Sequence, residues 1–418
     1  MTTQTQPEPA CATTTEVRDF YELYPYPSSS VPTLRNGFGA RLVLSRVQTP
    51  RPAGKRIEVL DAGCGRGIGL IANAALNPEA HYVGIDLCNA SLADAQVGVA
   101  HRGLMNVDVH EVDLMTLQGL PVPSGGFDLI YSSGVVHHLA DPEAGLRQLG
   151  EVLAPSGVIV FMVYGTIGRR HIRRVQCALA SWLDRTLPLG QQLATARAFV
   201  QALAQADDAE CPFQEAAICP DAEFVDRYLH PNETDYDVPG LFDLIERAGL
   251  RFLGWQGNQA YSLDGVLEPG PVRDSIEALP ERERFTVIEQ ILQPKNHQLF
   301  LCKPENGPRR LPPLDQWGEL LLAPNPEASF QIAQRNLWGS SRTESISYLI
   351  YDGESVLIED PALQQAALLV ASQNEPFRGG SLVQALVEDG MEPSQALAAL
   401  KELVDLELVY APHEVELG

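Results

Sequence analysis

Positive charge is what this sequence is short of. Its 418 residues hold 30 Lys and Arg against 54 Asp and Glu, a formal net charge of −24. Nucleic-acid phosphates need Lys and Arg, and so does an anionic membrane surface, so neither partner is expected. Cysteine is also sparse. The seven residues (Cys11, Cys64, Cys88, Cys177, Cys211, Cys219 and Cys302) are an odd number spread along the chain. They form no disulfide framework and read as reduced thiols of a cytoplasm. The start, MTTQTQPEPACATTTE, lacks the basic and apolar regions of a signal peptide. No run approaches the ~18 apolar residues of a membrane span, and the longest, Val158 to Val163, is strand-length. The expectation is a soluble cytoplasmic protein. What is present is 45% hydrophobic residues, enough to bury a core, in a chain long enough for two or three domains.

Residues 1–15 carry few apolar anchors and read as a disordered tail. Residues 16–50 form an N-terminal lid or helical segment with the cluster Phe20-Tyr21-Glu22-Leu23-Tyr24-Pro25-Tyr26-Pro27. A regular alternation follows. Strands are expected at Ile57–Asp61, His81–Asp86, Val107–Val112, Phe127–Ser132 and Gly157–Val163, with helices over 67–76, Ser91–Arg102 and Asp141–Leu153. Such alternation implies an α/β fold, right-handed βαβ units and a parallel sheet covered on both faces. Residues 166–236 are mostly helical. A helix over 238–249 ends at Gly249, a C-cap signal. Strands Leu250–Trp255 and Gln298–Cys302 then complete a domain spanning 51–305. Residues 306–316 are a linker. Residues 317–418 hold short helices at 361–372, 381–389 and 393–404 and a strand-like LELVYA, which suggests a winged-helix-like domain.

The most specific pattern is Asp61-Ala62-Gly63-Cys64-Gly65-Arg66-Gly67 directly after a strand. Glycines allow a tight strand-to-helix turn and close approach of a ligand to the backbone. Asp86 ends the next strand, 19 residues after Gly67, near the ~20 at which a carboxylate reaches ribose hydroxyls in such sheets. The G-x-G-x-G spacing differs from that of dinucleotide binders and suits a ligand without a pyrophosphate on the helix N-terminus.

These residues resemble the class I S-adenosylmethionine-dependent methyltransferases. The resemblance rests on D-A-G-C-G-R-G, G-I-D at 84–86, V-D-L at 112–114, Phe127-Asp128-Leu129-Ile130, Val135-Val136-His137-His138-Leu139 and L-A-P-S-G at 153–157. It implies a Rossmann-like seven-stranded sheet of order 3-2-1-4-5-7-6, with S-adenosylmethionine as cofactor and no metal. Gly63, Gly65 and Gly67 would then face the methionine part, and Asp61 would orient their loop. Asp86 with Leu87 would hold the ribose, and Asp113 with Leu114 would contact the adenine. Ser133, Tyr21 and Tyr24 complete the implied cofactor set.

Methyl transfer needs alignment of the nucleophile and exclusion of water; a base enters only if the target must lose a proton. His138 follows the fourth strand at the ligand-binding edge of the sheet. With Tyr164 and with His230 and Glu233 of the segment Asp226–Tyr236, it forms the candidate catalytic set. That segment reads as a substrate wall or, equally, a capped surface loop. Arg169-Arg170-His171-Ile172-Arg173-Arg174 is the one basic cluster. It reads as a solvated helix face paired with local acids, with docking of an acidic protein as the alternative. Residues 308–418 carry six Lys and Arg and 17 Asp and Glu, 6 − 17 = −11, which favours protein docking or dimerisation over DNA reading.

A narrower resemblance rests on F-Y-x-x-Y-P-Y-P, V-Y-G-x-x-G-R-R and D-R-Y-L-H-P-N-E-x-D-Y. These look like the cyanobacterial phycobiliprotein asparagine N-methyltransferase group, and the layout also looks like bacterial protein lysine methyltransferases with a C-terminal regulatory domain. The resemblance implies a protein substrate, a phycobiliprotein. The competing readings are a small-molecule N- or O-methyltransferase and a catalytically inactive S-adenosylmethionine-binding regulatory protein.

Overall fold

The computed structural model describes residues 14–28, 37–206, 213–257, 261–337, 340–350 and 355–413. The expected tail, up to residue 13, lies outside them, as do Cys11 and Cys211. Thr14 and Thr15, assigned above to that tail, instead open a helix, α1 (Thr14–Leu23). After α2 (Ala40–Leu44) the alternation begins: β1 (Glu58–Ala62), α3 (Ile68–Leu76), β2 (His81–Asp86), α4 (Asn89–His101), β3 (Val107–Glu111), β4 (Phe127–Ser133), α5 (Pro142–Val152) and β5 (Leu153–Tyr164). The helical insertion comprises α6 (Arg170–Trp182), α7 (Leu189–Ala206), α8 (Gln214–Ile218) and α9 (Asp221–Leu229). Then come α10 (Val238–Arg247), β6 (Arg251–Trp255), α11 (Pro271–Glu277), α12 (Glu281–Leu292) and β7 (Asn296–Cys302). The sheet order is β3-β2-β1-β4-β5-β7-β6. Strands β1 to β5 are parallel, and β7 runs antiparallel between β5 and β6.

Burial explains why the central strands read as unbroken apolar runs. Leu60, Ile130, Ile159 and Phe161 enter one core cluster. Their neighbours Val59, Leu129, Val158 and Val160 enter another, on the opposite face. A period-two alternation with both faces buried is the signature of a parallel sheet covered by helices on both sides. Helix starts are fixed by local chemistry. Asp141 and Asp237 each accept a hydrogen bond from a first-turn N–H, of Ala144 and Gly240, with a proline in the first turn of both helices. Gly249 follows α10 with φ +74°, and its N–H reaches Glu246 while that of Leu250 reaches Ile245, a Schellman closure.

Residues 317–413 form a second domain. β8 (Leu321–Pro324) precedes β9 (Ser329–Leu337), β10 (Ser340–Leu349) and β11 (Val356–Ile358). Then follow α13 (Pro361–Ala371), β12 (Phe377–Arg378), α14 (Gly379–Glu388), α15 (Pro393–Asp405) and β13 (Val409–Tyr410). β8 is central in a small sheet, β12-β8-β13, and β9, β10 and β11 form a separate antiparallel sheet. Leu363, Val370, Leu386, Leu400 and Leu403 pack the three helices together. The β9–β11 sheet was not expected, and neither were α11 and α12. β9, β10 and α12 run to nine, ten and twelve residues, but polar residues interrupt their apolar ones, so no unbroken apolar run announces them.

The linker lies docked along the first domain. Val47 and Pro308 form an isolated β-bridge, and the N–H of Arg309 donates to the Arg46 carbonyl at 2.7 Å. Arg46 pairs with Glu407, and the N–H of Gly39 donates to Glu327. No helix among the described residues is long and apolar enough to cross a membrane.

Candidate functional site

A cavity of about 870 Å³ opens at the C-terminal ends of β1, β2, β4 and β5, where an open α/β sheet binds its ligands. One wall is backbone. Gly63, Gly65 and Gly67 all have positive φ. A Cβ on Gly63 would lie 2.4 Å from Val135, and one on Gly67 would lie 2.8 Å from Ala95 of α4. Gly63 thus makes room for the end of β4, whereas Gly67 does not line the cavity and serves the packing of α3 on α4. Asp86 ties the loop down: Oδ2 accepts from Gly65 N–H at 2.8 Å and Oδ1 from Cys88 N–H at 2.9 Å. The Leu87 N–H also bonds this carboxylate, which leaves it about one acceptor site for a ligand hydroxyl. Burial raises the Asp86 carboxyl. Burial, then the Asp86 charge, pushes Asp61 up to about 7. Burial, then Asp61, also raises the Cys64 thiol well above its usual range, so it is inert.

The opposite wall is made of side chains from distant segments. A single 3₁₀ turn, Val136–His138, follows β4. Its His138 ring nitrogen Nδ1 lies 2.9 Å from the Asn232 carbonyl. A carbonyl only accepts, so Nδ1 carries the proton and Nε2 keeps its lone pair. The Asn232 amide fastens the same turn by donating to the carbonyls of His138 and Leu139. Asp226 of α9 accepts from the hydroxyls of Tyr21 at 2.8 Å and Tyr164 at 3.4 Å. Burial, then Asp226, holds the Tyr21 phenol well above its ordinary range, so it remains a donor. His230 packs its ring against His138, with centroids 3.8 Å apart and planes tilted by 32°, but unlike His138 it does not line the cavity, and burial holds its basicity well below that of a free imidazole. His137 is fully buried between Tyr164 and His138.

The N-terminal segment crosses this cavity. Tyr26 and Pro27 line it. Arg66, inside the glycine motif, donates to the carbonyls of Pro27 at 3.0 Å and Ser28 at 2.7 Å and pairs with Asp94. Glu223 of α9 accepts from Ser28 N–H at 2.9 Å. Ile350, at the end of β10 in the C-terminal domain, also lines the cavity.

Of the expected residues, Asp61, Gly63, Gly65, Asp86, Leu87, Leu114, Ser133, Tyr21, His138 and Tyr164 meet at this cavity. Others do not. Asp113 caps the following turn by accepting from Met115 N–H. Tyr24 packs against the core of the helical insertion. Glu233 is taken out of the candidate catalytic set: its carboxylate is buried in an ion pair with Arg169 at 3.1 Å and accepts from Gln176. The basic cluster divides. Arg170, Arg173 and Arg174 are exposed on α6, but Arg169 is buried, with its guanidinium 3.4 Å from the centre of the Tyr164 ring. Asp226 opens the segment Asp226–Tyr236 read above as a substrate wall or capped loop, but it was not placed in the candidate catalytic set. Its signal was positional, a lone acid among Phe224, Val225, Tyr228 and Leu229 on the buried face of α9.

A family model, the methyltransferase domain, matches residues 53–192. Over those residues the chain is similar to a methyltransferase domain. An uncharacterized protein of Synechococcus sp. is 32% identical over 249 residues, covering 57% of this chain and 58% of that one. A malonyl-[acyl-carrier protein] O-methyltransferase of Legionella pneumophila is 31% identical over 138 residues, 32% of this chain and 45% of that one. The chain thus spans less than two thirds of either curated relative. PKMT2 from Rickettsia typhi, solved in complex with AdoHcy, superposes with a TM-score of 0.66 at 17% identity, covering 93% of this chain and 78% of that one. That likeness shows the fold over nearly the whole chain. The residues around the cavity fit S-adenosylmethionine as a cofactor. Asp86 lines the cavity with acceptor capacity left where a ribose hydroxyl would donate. Leu87 and Leu114 offer apolar surface, and the glycine loop leaves its backbone exposed to the cavity.

Proposed function

We propose that this protein transfers a methyl group from S-adenosylmethionine to a nitrogen of a protein side chain. The observation that carries the proposal is the shared cavity, in which the glycine loop and Asp86 face the same space as His138, Tyr164 and Asp226. When bound, the cofactor supplies a methyl carbon on a sulfonium sulfur. The chain's residues would do the rest. Asp86, Leu87 and Leu114 hold the cofactor. Tyr26 and Pro27 exclude water from one side. The acceptor nitrogen forms the new N–C bond as the C–S bond breaks with its electron pair on sulfur, and the proton leaving nitrogen goes to Nε2 of His138.

A protein acceptor is supported by Ile350, which brings the C-terminal domain, read as a winged-helix-like docking module, to the cavity itself. The finer reading, from the Y-P-Y-P and D-R-Y-L-H-P-N-E segments, is N-methylation of an asparagine in a phycobiliprotein beta subunit. An amide lone pair is delocalised, which gives His138 a reason to take the proton early. The competing reading is a small-molecule acceptor. The test incubates the purified protein with radiolabelled S-adenosylmethionine, a lysate lacking this gene, and separately a purified phycobiliprotein. A labelled protein band is expected. Label only in the small-molecule fraction overturns the protein acceptor, and an unlabelled phycobiliprotein beside another labelled band overturns the finer reading.

A further inference from the structure

We propose that Asp226 is the group that holds the acceptor nitrogen; this rests on the methyltransferase reading and adds to it a role for a residue outside the candidate catalytic set. Asp226 is 5% exposed yet lines the cavity. Its two hydrogen bonds come from the phenols of Tyr21 and Tyr164. Among the described residues it has no ion-pair partner, and Arg169 is committed to Glu233. A buried carboxylate without a cation is costly, and each of its oxygens can accept a further hydrogen bond. The ligand chemistry that satisfies it is an N–H group, either an ammonium or a primary amide. The His138 ring offers a second acceptor close by, for one ring nitrogen each of His138 and His230 and a carboxylate oxygen of Asp226 lie within 4.8 Å of one another. A nitrogen acceptor brings two N–H bonds to two acceptors, whereas a hydroxyl brings one O–H.

Two histidines and a carboxylate are also a familiar metal donor set. The hydrogen bonds decide against it. Asn232 N–H donates to His230 Nδ1 at 3.0 Å, so the neutral ring carries its proton on Nε2 and has no lone pair there to give. Tyr21 is the positioning residue. It sits on α1, so docking of the N-terminal segment and orientation of the Asp226 carboxylate are one event.

The test uses the full chain as wild type, Asp226→Asn and Tyr21→Phe. Calorimetry gives the affinities for S-adenosylmethionine and for AdoHcy. Saturation-transfer NMR on the AdoHcy-loaded protein then reads binding of n-butylammonium, propionamide and n-butanol. Wild type should bind at least one nitrogen probe better than n-butanol. Asp226→Asn should weaken that probe by about tenfold, the usual worth of a charged hydrogen bond, with both cofactor affinities unchanged. Tyr21→Phe keeps the carboxylate and should weaken the probe less, which holds the test open if the first variant misfolds. The proposal is overturned by nitrogen probes that bind no better than n-butanol, or equally well to both variants. It is overturned too by a selective loss of S-adenosylmethionine over AdoHcy in Asp226→Asn, which would turn the carboxylate toward the sulfonium. Stoichiometric zinc lost in that variant would make the cluster a metal site. A wild type that binds neither cofactor form would instead sink the methyltransferase reading.

Discussion

The two walls of the cavity are built in opposite ways. The cofactor wall centres on one short stretch of backbone, Asp61 to Gly65, tied to Asp86 at the end of the next strand, with Leu87 and Leu114 beside it. The acceptor wall joins Tyr21, His138, Tyr164 and Asp226, with Tyr21 and Asp226 separated by 205 positions. The first is a property of local conformation. The second exists only after α1, the insertion and the sheet have packed. The difference teaches where each wall is fragile: one through its glycines, the other through the ion pairs and stacked rings behind it.

The hardest blow to the acceptor wall should fall behind it. Arg169→Met leaves Glu233 buried without its cation, which costs about 3–5 kcal/mol. Urea unfolding measures it, and a loss under about 1 kcal/mol would mean the pair is not what braces Tyr164. AdoHcy affinity of the folded fraction should stay near wild type, since the damage lies on the other side of the cavity.

The matching blow to the cofactor wall is Gly63→Val. Residue 63 has φ +87° and a Cβ would meet Val135 at 2.4 Å. AdoHcy affinity should fall by about a hundredfold or more, because strain of a few kcal/mol moves the loop. Calorimetry decides it, and near-normal affinity would break the claim that backbone shape makes this wall.

A smaller effect separates the walls by pH. Burial and Asp86 raise Asp61 to about 7. Below that pH the carboxyl is protonated and offers no charge to a cationic ligand. S-adenosylmethionine affinity should therefore rise between pH 6 and 8, by up to about tenfold per unit below the midpoint. Asp61→Asn should flatten the profile. For stability the sign is reversed: an acid with a raised folded pKa makes the fold less stable as pH climbs from about 4 toward 7. The smallest effect belongs to Arg173→Ala on the exposed face of α6, within about 0.5 kcal/mol by thermal melting.

How much could be read in advance follows the same division. The strands, the strand-end acids and the glycine loop were legible because most strands are short apolar runs ending in turns that the local residues dictate, whereas the seven-stranded order came only from the family resemblance those motifs carry. Arg169 was misread with its neighbours as solvated. Its spacing to Ile172, Val175 and Leu179, which are buried on α6, places it on the apolar face, while Arg170, Arg173 and Arg174 fall outside that stripe. Glu233 was misread because its partner lies 64 positions away, beyond any local pattern. The β9–β11 sheet was legible and overlooked: SFQIA and SISYL alternate apolar with polar residues, the pattern of a half-buried strand.

Ile350 has a consequence for how such a chain is inherited and engineered. A side chain of the second domain sits in the cavity of the first, so the two halves share one vessel. A protein cut at the linker would keep every residue of the glycine motif and lose a piece of the chamber that the motif serves. Trimming, domain exchange and fusion at residues 306–316 therefore change the vessel's shape as well as the length of the chain.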